Sequence, residues 1–339
     1  MTTHRMTLLR ILLILLIALG VLGAGLWVDY QRFETTPIAL DRESIVFDIP
    51  TGSSLGQIAE RLTERGIIPH PYYFIALAYR RGDQTRIKAG EYTLTAAMTP
   101  VEVLDHVVRG KVVQYPITLV NGWTFRRAVE AIDAHPHFGG EGLAALSDAE
   151  LMARLGHPGE HPEGRFFPDT YAFPRGTSGI DVLRRAMQRM KLVLAEEWAG
   201  RAENLPVETP YEALILASIV EKETAATHER AKIAGVFVRR LRMGMRLQTD
   251  PTVIYGMGER YEGDIRRSDL REATAYNTYV IDGLPPTPIS LPGRGTIHAV
   301  LHPADGDALF FVSKGDGTHQ FSATYAEHKR AVRRYILGK

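Results

Sequence analysis

The chain has 339 residues, of which 45% are apolar and 23% charged, a composition typical of a folded protein that indicates no disordered segment. Its formal net charge is only +1, so the chain as a whole gives no electrostatic indication of nucleic-acid binding. The absence of cysteine excludes disulfides, thiolate metal sites and a cysteine nucleophile, and it suits an oxidising compartment.

The first feature along the chain is an apolar run over residues 8–28, which carries no charge after Arg10. As a helix rising about 1.5 Å per residue, this run spans roughly 30 Å, the thickness of the hydrocarbon core of a bilayer. Because Arg5 and Arg10 lie on its N-terminal side, we expect residues 1–7 to be a cytoplasmic tail and the body to lie outside the cytoplasm. The alternative is a cleaved signal peptide with Gly23-Ala24-Gly25 as its small-residue site, but so long an apolar run favours a retained single-pass anchor.

A linker is predicted over residues 29–43, followed by a small module over residues 44–113. Strand-forming residues, turn residues and apolar residues at helical spacing give this module its predicted order of elements. That order is a strand at 45–49, a helix from Leu55 that stops at Arg65-Gly66, a helix from Pro71 to Tyr79, a strand at 90–94 and a helix from Pro100.

The remaining residues, 114–339, are predicted to form the catalytic body. Helices and strands mix there without a βαβ rhythm, which favours an α+β fold. The stretch 135–164 is polar and rich in Gly and Pro, and its contribution stays open. The predicted elements are strands at 116–120 and 309–312 and helices at 123–132, 181–200, 211–224, 230–241 and 322–337, with a turn-rich stretch after Gly244.

Two acidic residues, Glu221 and Glu223, end the nearly all-apolar helix predicted over residues 211–224. Residues two apart on a helix point about 200° away from each other, so these two cannot face one cleft. One is expected to face inward, where apolar walls raise the pKa of a carboxyl group and suit it to act as a general acid. The other is expected to be solvated or paired with a cation such as Lys222 or Arg230. A buried helix that simply reaches the surface produces the same pattern.

Further candidates lie where polar or aromatic residues stand beside Pro and Gly. Such segments suit the binding of a sugar through hydrogen bonds and ring stacking, and tight turns or core filling are the alternative. The candidate substrate-binding residues are Gln248, Thr249, Asp250 and Tyr255 in the segment 244–256, Tyr276 and Asn277 in 275–279, and Asp169 in 166–171.

No metal or cofactor is expected. His298 and His302 share a helix face by spacing, but Ala299 stands where the metalloprotease helix has a glutamate. The segments Asp305-Gly306-Asp307 and Asp316-Gly317 lack the other ligands of a calcium loop and are expected to be turns.

Taken together, these segments resemble the endolytic murein transglycosylase family, also called YceG-like. The resemblance covers essentially the whole chain, including the membrane segment and the module over residues 44–113, which looks LysM-like. The motifs that carry it occur in order: Phe-Pro-Asp-Thr-Tyr ending at Tyr171, Ala-Ser-Ile-Val-Glu-Lys-Glu-Thr at 217–224, Gly-Met-Arg-Leu-Gln-Thr-Asp-Pro-Thr-Val-Ile-Tyr-Gly at 244–256, Thr-Ala-Tyr-Asn-Thr-Tyr at 274–279, Gly-Leu-Pro-Pro at 283–286 and His-Pro-Ala at 302–304.

The resemblance implies a lyase that cleaves the bond between N-acetylmuramic acid and N-acetylglucosamine within nascent peptidoglycan strands and leaves 1,6-anhydro ends. It assigns the catalytic role to the first acid of Val-Glu-Lys-Glu, Glu221, acting as acid and then as base. Glu221→Gln is therefore expected to abolish cleavage, and Glu223→Gln to leave partial activity. The implied partners are glycan strands, with cell-wall synthases as candidate protein partners and no nucleic acid.

Two other functions remain open from the sequence. One is a peptidoglycan-binding scaffold for synthases that no longer cuts, against which the intact Glu221 motif argues. The other is a muramidase that uses water, which usually needs a second carboxylate across the bond.

Overall fold

A computed structural model describes residues 2–138 and 141–338, with side chains from residue 9 onward. Met1, the first residue of the predicted cytoplasmic tail, lies outside the described residues. The chain divides after Tyr115 into two compact units. Helices and short two-stranded sheets mix in both units, so the protein is a mixed α+β protein. The assignment of a tail, anchor, linker, LysM-like module and catalytic domain stays a prediction.

Helix α1 (Thr2–Thr35) contains the apolar run. Within the described part of the chain, its segment Leu9–Thr35 is the one helix long and apolar enough to cross a membrane, and none of its most apolar stretch is buried. This helix is compatible with a single-pass anchor. It also continues seven residues beyond Val28, into the predicted linker. The reason is packing, because Phe33 and the nearby Ile38 are both 5% exposed and belong to the core of the first unit.

The rest of the first unit is built from one antiparallel pair of strands and three helices. Strand β1 (Ser44–Ile49) pairs antiparallel with β2 (Gly90–Thr95), from Ser44 opposite Thr95 to Ile49 opposite Gly90. The helices are α2 (Leu55–Glu64), α3 (Pro71–Arg81) and α4 (Pro100–Arg109). Capping boxes begin α2 and α4, with Ser54 and Thr99 as the N-caps.

The second unit is mainly helical, with two small sheets. Strand β3 (Tyr115–Thr118) pairs with β4 (Thr170–Phe173), and β5 (Phe310–Ser313) pairs antiparallel with β6 (His319–Ser322). The helices are α5 (Phe125–Asp133), α6 (Asp148–Arg154), α7 (Gly179–Ala199), α8 (Pro210–Glu223), α9 (Arg230–Arg242), α10 (Asp250–Met257), α11 (Arg294–Leu301) and α12 (Tyr325–Tyr335).

Helix α8 lies at the centre of this unit and packs against α7, α9 and α11. Every residue from Ala213 to Val220 is buried, as its nearly all-apolar sequence predicts.

Three elements in the turn-rich region were not predicted, namely α10, α11 and β6. The prediction took the Pro and Gly residues of this region as signs of turns. Proline also occurs in the first turn of helices, as it does in α10.

Candidate active site

The candidate site lies at the C-terminal end of α8. The helix starts at Thr209, whose hydroxyl accepts a hydrogen bond from Glu212 N–H, and Pro210 follows in its first turn. It ends at Thr224, whose backbone is extended. Burial of the preceding turns fixes the helix in the core, so the two acids in its last turn are held in defined and different directions.

Glu221 is held by three partners and is only 5% exposed. The backbone N–H of Gly293 donates to its carboxylate at 2.9 Å, and the hydroxyl of Thr296 donates to the same oxygen. The guanidinium of Arg230 lies 3.3 Å from the other oxygen. Because Gly293 is the N-cap of α11, Glu221 supplies negative charge where the helix dipole favours it. The carboxylate of Glu221 therefore fastens α8 to α9 and α11.

Glu223 faces a different environment, a cavity of about 550 Å³. Burial raises the pKa of its carboxyl group from 4.5 to about 7, against the opposing effect of a hydrogen bond from Thr249; the nearby Asp250 raises this pKa and Arg240 lowers it. The hydroxyl of Thr249 donates to the carboxyl group. A carboxyl group of this pKa is partly protonated near neutral pH and can both give and take a proton.

The sequence predicted that one acid would pair with a cation such as Arg230 and the other would face an apolar-walled cleft. The structure has this division, but with Glu221 as the paired acid and Glu223 as the acid in the cavity. The prediction that Glu221 is the catalytic acid stays a prediction, because these contacts show the surroundings of the two acids and not their roles.

The segment 248–250 forms one wall of the cavity. Gln248 takes a positive φ of 50°, and its N–H bonds to the carbonyl of Thr278 at 3.1 Å. The N–H of Thr249 bonds to the hydroxyl of Thr278 at 3.0 Å, and the phenol of Tyr279 donates to Asp250 at 2.6 Å. These bonds join the predicted segments 244–256 and 275–279. The predicted residues Gln248, Thr249 and Asp250 all line the cavity with Glu223.

Arg240 and the half-buried His319 also lie in the wall of the cavity. The Arg240 guanidinium donates to the carbonyls of Leu309 and Leu247, both at 2.7 Å, and so ties β5 to the segment before Gln248. His319 Nδ1 lies 2.7 Å from the carboxylate of Glu229, and its backbone N–H donates to the same group at 3.1 Å. This pair fixes the orientation of the imidazole in the cavity. Sequence reasoning did not identify it, because β6 was not predicted.

The other predicted binding residues have internal partners. Asn277 is buried, and its side chain donates to the carbonyls of Asp269 and Glu272 and accepts from Tyr279 N–H. The rings of Tyr255 and Tyr276 meet at 4.9 Å, and both pack against the core. Asp169 is exposed at the start of β4, where it bonds the N–H of Thr170. These four are not among the residues that line the cavity.

Another buried acid, Glu163, lies in the stretch 135–164 and was not identified from the sequence. It is 4% exposed, and burial raises the pKa of its carboxyl group to about 7. It accepts hydrogen bonds from Phe125 N–H at 2.9 Å and Tyr255 Oη at 3.1 Å, so it links the start of α5 to α10. No sequence signal distinguished it from a surface acid in a Gly-rich turn.

The histidines at the end of α11 have protein partners. His298 Nδ1 lies 2.8 Å from a carboxylate oxygen of Glu197, and His302 Nε2 lies 2.8 Å from the carbonyl of Gly200. Among the described residues, no group of three or more His, Cys, Asp or Glu side chains is placed to hold a metal ion.

This fold and this pair of acids at the end of a buried helix define a YceG-like protein. The model of the YceG-like family matches residues 47–334, and the chain belongs to this family. The chain is similar to a crystal structure of a YceG-like protein from Listeria monocytogenes, with 28% identity and a TM-score of 0.54. That match covers 85% of this chain and 98% of the Listeria chain.

Two relatives carry the name endolytic murein transglycosylase. The protein of Bacillus subtilis (strain 168) is 29% identical over 327 residues, a match covering 91% of this chain and 90% of that protein. The protein of Streptococcus pneumoniae serotype 2 (strain D39 / NCTC 7466) is 26% identical over 362 residues, covering 96% of this chain. The chain spans 65% of the length of the pneumococcal relative.

Proposed function

We propose that this protein is a membrane-anchored endolytic peptidoglycan transglycosylase. It cleaves the bond between N-acetylmuramic acid and N-acetylglucosamine inside nascent glycan strands and leaves 1,6-anhydromuramic ends. The names of the Bacillus and pneumococcal relatives support this activity, as does the YceG-like family match over most of the chain. The observation that carries the proposal is the pair of acids at the end of α8, of which Glu223 lies with Gln248, Thr249 and Asp250 in the wall of a cavity of about 550 Å³.

Two acids are candidates for the general acid and base: Glu221, which the family resemblance assigns, and Glu223, which the cavity favours. A general acid needs its proton at working pH and access to the substrate. Glu223 has the raised pKa and lines the cavity, whereas the oxygens of Glu221 are engaged by Arg230, Gly293 and Thr296.

The proposed reaction uses one carboxyl group twice. Glu223 gives its proton to the glycosidic oxygen as the bond to muramic C1 breaks, which releases the sugar hydroxyl. The C6 hydroxyl of the same muramic acid then bonds to C1, and the Glu223 carboxylate takes the proton from that hydroxyl. The enzyme returns to its starting state without adding water. This reaction therefore does not need the second carboxylate that a hydrolase uses.

Residues Gln248, Thr249 and Asp250 are the proposed substrate contacts. They share the cavity wall with Glu223, and carboxylate, hydroxyl and amide groups are suited to sugar hydroxyls. Tyr255, Tyr276, Asn277 and Asp169 were also predicted to bind substrate. Their internal partners favour a supporting role in holding the segments around the cavity.

The proposed domains follow the sequence prediction. Residues 8–28 anchor the chain, residues 29–43 form a linker, residues 44–113 form a LysM-like module that binds glycan or acts as a spacer, and residues 114–339 form the catalytic domain. The tail at 1–7 lies in the cytoplasm, and the rest lies outside the inner membrane in the periplasm. The anchor keeps cleavage close to the membrane, where synthases make new strands and are the candidate partners.

The test is digestion of purified peptidoglycan by the full-length protein in detergent, with mass spectrometry of the released fragments. Anhydro-ended fragments that disappear with Glu223→Gln support the proposal. Fragments heavier by one water indicate a muramidase. A folded protein that binds glycan but releases nothing indicates a scaffold.

A further inference from the structure

Helix α3 packs directly against the end of the apolar helix α1. The phenol of Tyr73 donates to Asp29 at 2.7 Å, and its ring lies edge-on to Tyr30 with centroids 5.7 Å apart. The same ring contacts Phe33, whose centroid is 5.5 Å away. These residues follow the apolar run immediately, so α3 meets α1 where the run ends.

A second set of contacts fixes the other end of α3 at the same level of α1. Arg80 forms an ion pair with Glu34, and its guanidinium lies 5.4 Å from the ring centroid of Tyr30. The N–H of Ile38 bonds to the carbonyl of Met98 at 2.7 Å, and Ile38 is buried in the core of this unit. The anchor helix and the small unit are therefore packed as one body and are not joined by a free linker.

The height of α3 above the apolar run follows from helix geometry. The contacts on α1 fall between Asp29 and Glu34, which at about 1.5 Å per residue lie within roughly 9 Å of Val28 along the helix axis. The headgroup layer of each leaflet is roughly 5–8 Å thick, the difference between a full bilayer and its hydrocarbon core. Tilt of α1 lowers this height further. Helix α3 must then lie at the level of the headgroups.

Two tyrosines of α3 are left uncovered at this level. Tyr72 is 77% exposed and Tyr79 is 64% exposed, although both are large and partly apolar. They are seven residues apart, which places them on one stripe of the helix, beside the stripe of Tyr73 and Arg80 that contacts α1. Tyrosine is enriched at the membrane–water interface, where its ring meets apolar chains and its hydroxyl meets water.

We propose that the surface formed by Tyr72 and Tyr79, the tyrosine face, lies in the headgroup layer of the bilayer that holds α1. The inference rests on the proposed anchor and goes beyond it, because it fixes which side of the small unit meets lipid. It also implies that the unit cannot swing away from the membrane while α1 is inserted. Its opposite side is the side left free for glycan.

The absence of cysteine allows a direct test by single-site labelling. Tyr72→Cys and Tyr79→Cys are each labelled with a small fluorophore in the full-length protein. The labelled proteins are reconstituted into phosphatidylethanolamine/phosphatidylglycerol vesicles with or without nitroxide-headgroup lipid. Val21→Cys, in the apolar run, is read with an acyl-chain nitroxide and reports insertion of α1. The exposed Glu60→Cys on α2 is the matched control of the same unit.

Headgroup quenching several-fold stronger at positions 72 and 79 than at 60, with acyl-chain quenching at 21, is the expected result. Quenching at 21 but not at 72 and 79 overturns the tyrosine face and leaves the anchor standing. Quenching at none of these positions overturns both. A response of positions 72 and 79 to added glycan strands, without lipid quenching, assigns the face to glycan and also overturns the proposal.

Discussion

The substitutions Glu221→Gln and Glu223→Gln, made one at a time, test the assignment of the two acids. Both replace a carboxyl group by an amide in the last turn of the same helix with almost no change in volume, so each is the control of the other. Their expected effects are opposite. Glu223→Gln is expected to lose cleavage and keep the fold, and Glu221→Gln is expected to weaken the fold.

For Glu223 the magnitudes follow from its raised pKa. A positioned general acid contributes roughly 10²–10⁴-fold to rate, and a loss of this size in kcat is expected for the glutamine variant.

The shift of the Glu223 pKa from 4.5 to about 7 corresponds to a cost of about 3 kcal/mol of stability for the ionised form. Below pH 4.5 the group is protonated in both the folded and the unfolded chain, so that cost is absent; it grows as pH rises to about 7 and is then constant. Glu223→Gln therefore raises the melting temperature at pH 8 and not at pH 4.

For Glu221 the magnitude follows from its partners. Removing its charge leaves Arg230, which is 17% exposed, without its partner and weakens the bonds from Gly293 and Thr296. Breaking a buried ion pair costs roughly 3–5 kcal/mol, with the lower end expected here because the amide oxygen can still accept. The corresponding fall in melting temperature is about 2–4 °C per kcal/mol for a unit of this size.

The assay pairs thermal unfolding of each full-length variant at pH 4 and pH 8 with mass spectrometry of peptidoglycan digests. Complete loss of cleavage in folded Glu221→Gln, with activity retained in Glu223→Gln, would refute the assignment and restore the order given by the sequence. Loss of stability in Glu223→Gln at pH 8 would refute the claim that its burial is unfavourable.

Three further outcomes are expected. The rate of cleavage should fall about tenfold per pH unit above pH 7, because the protonated form of Glu223 starts the reaction; a flat profile to pH 9 would exclude it as the acid. Tyr279→Phe removes the 2.6 Å bond to Asp250 and should raise KM more than it lowers kcat, whereas an unchanged KM would leave Asp250 without a role in binding. Phe33→Ala deletes a buried ring and should cost about 3–5 kcal/mol in denaturant unfolding of the first unit, while a change below about 1 kcal/mol would show that α1 and this unit are only loosely attached.

The predicted helices were located well wherever local sequence determines them. The apolar spacing of α8 and the capping residues of α2 and α4 act within a few residues, and the sequence shows them directly. The helical structure of the first part of the predicted linker is not evident from the sequence. Residues 29–35 are polar and resemble a connection, but Phe33 and its neighbours pack onto α3, which lies some 40 residues further along the chain. A soluble fragment that begins at Thr35 would lack this part of the core.

The same difference between local signals and contacts of distant residues explains why the sequence does not show the surroundings of Glu221 and Glu223. Helical spacing requires that the two acids point apart, but it does not say which of them meets a cavity. That choice depends on Gly293 and Thr296, 72 and 75 residues beyond Glu221, and on Thr249, 26 residues beyond Glu223. Both carboxylate oxygens of Glu221 are bonded within the fold, where they join α8 to the starts of α9 and α11. Glu223, two residues later, is then free to be held partly protonated at the cavity. One helix end thus holds two acids in different surroundings, one bonded to α9 and α11 and one in the wall of the cavity.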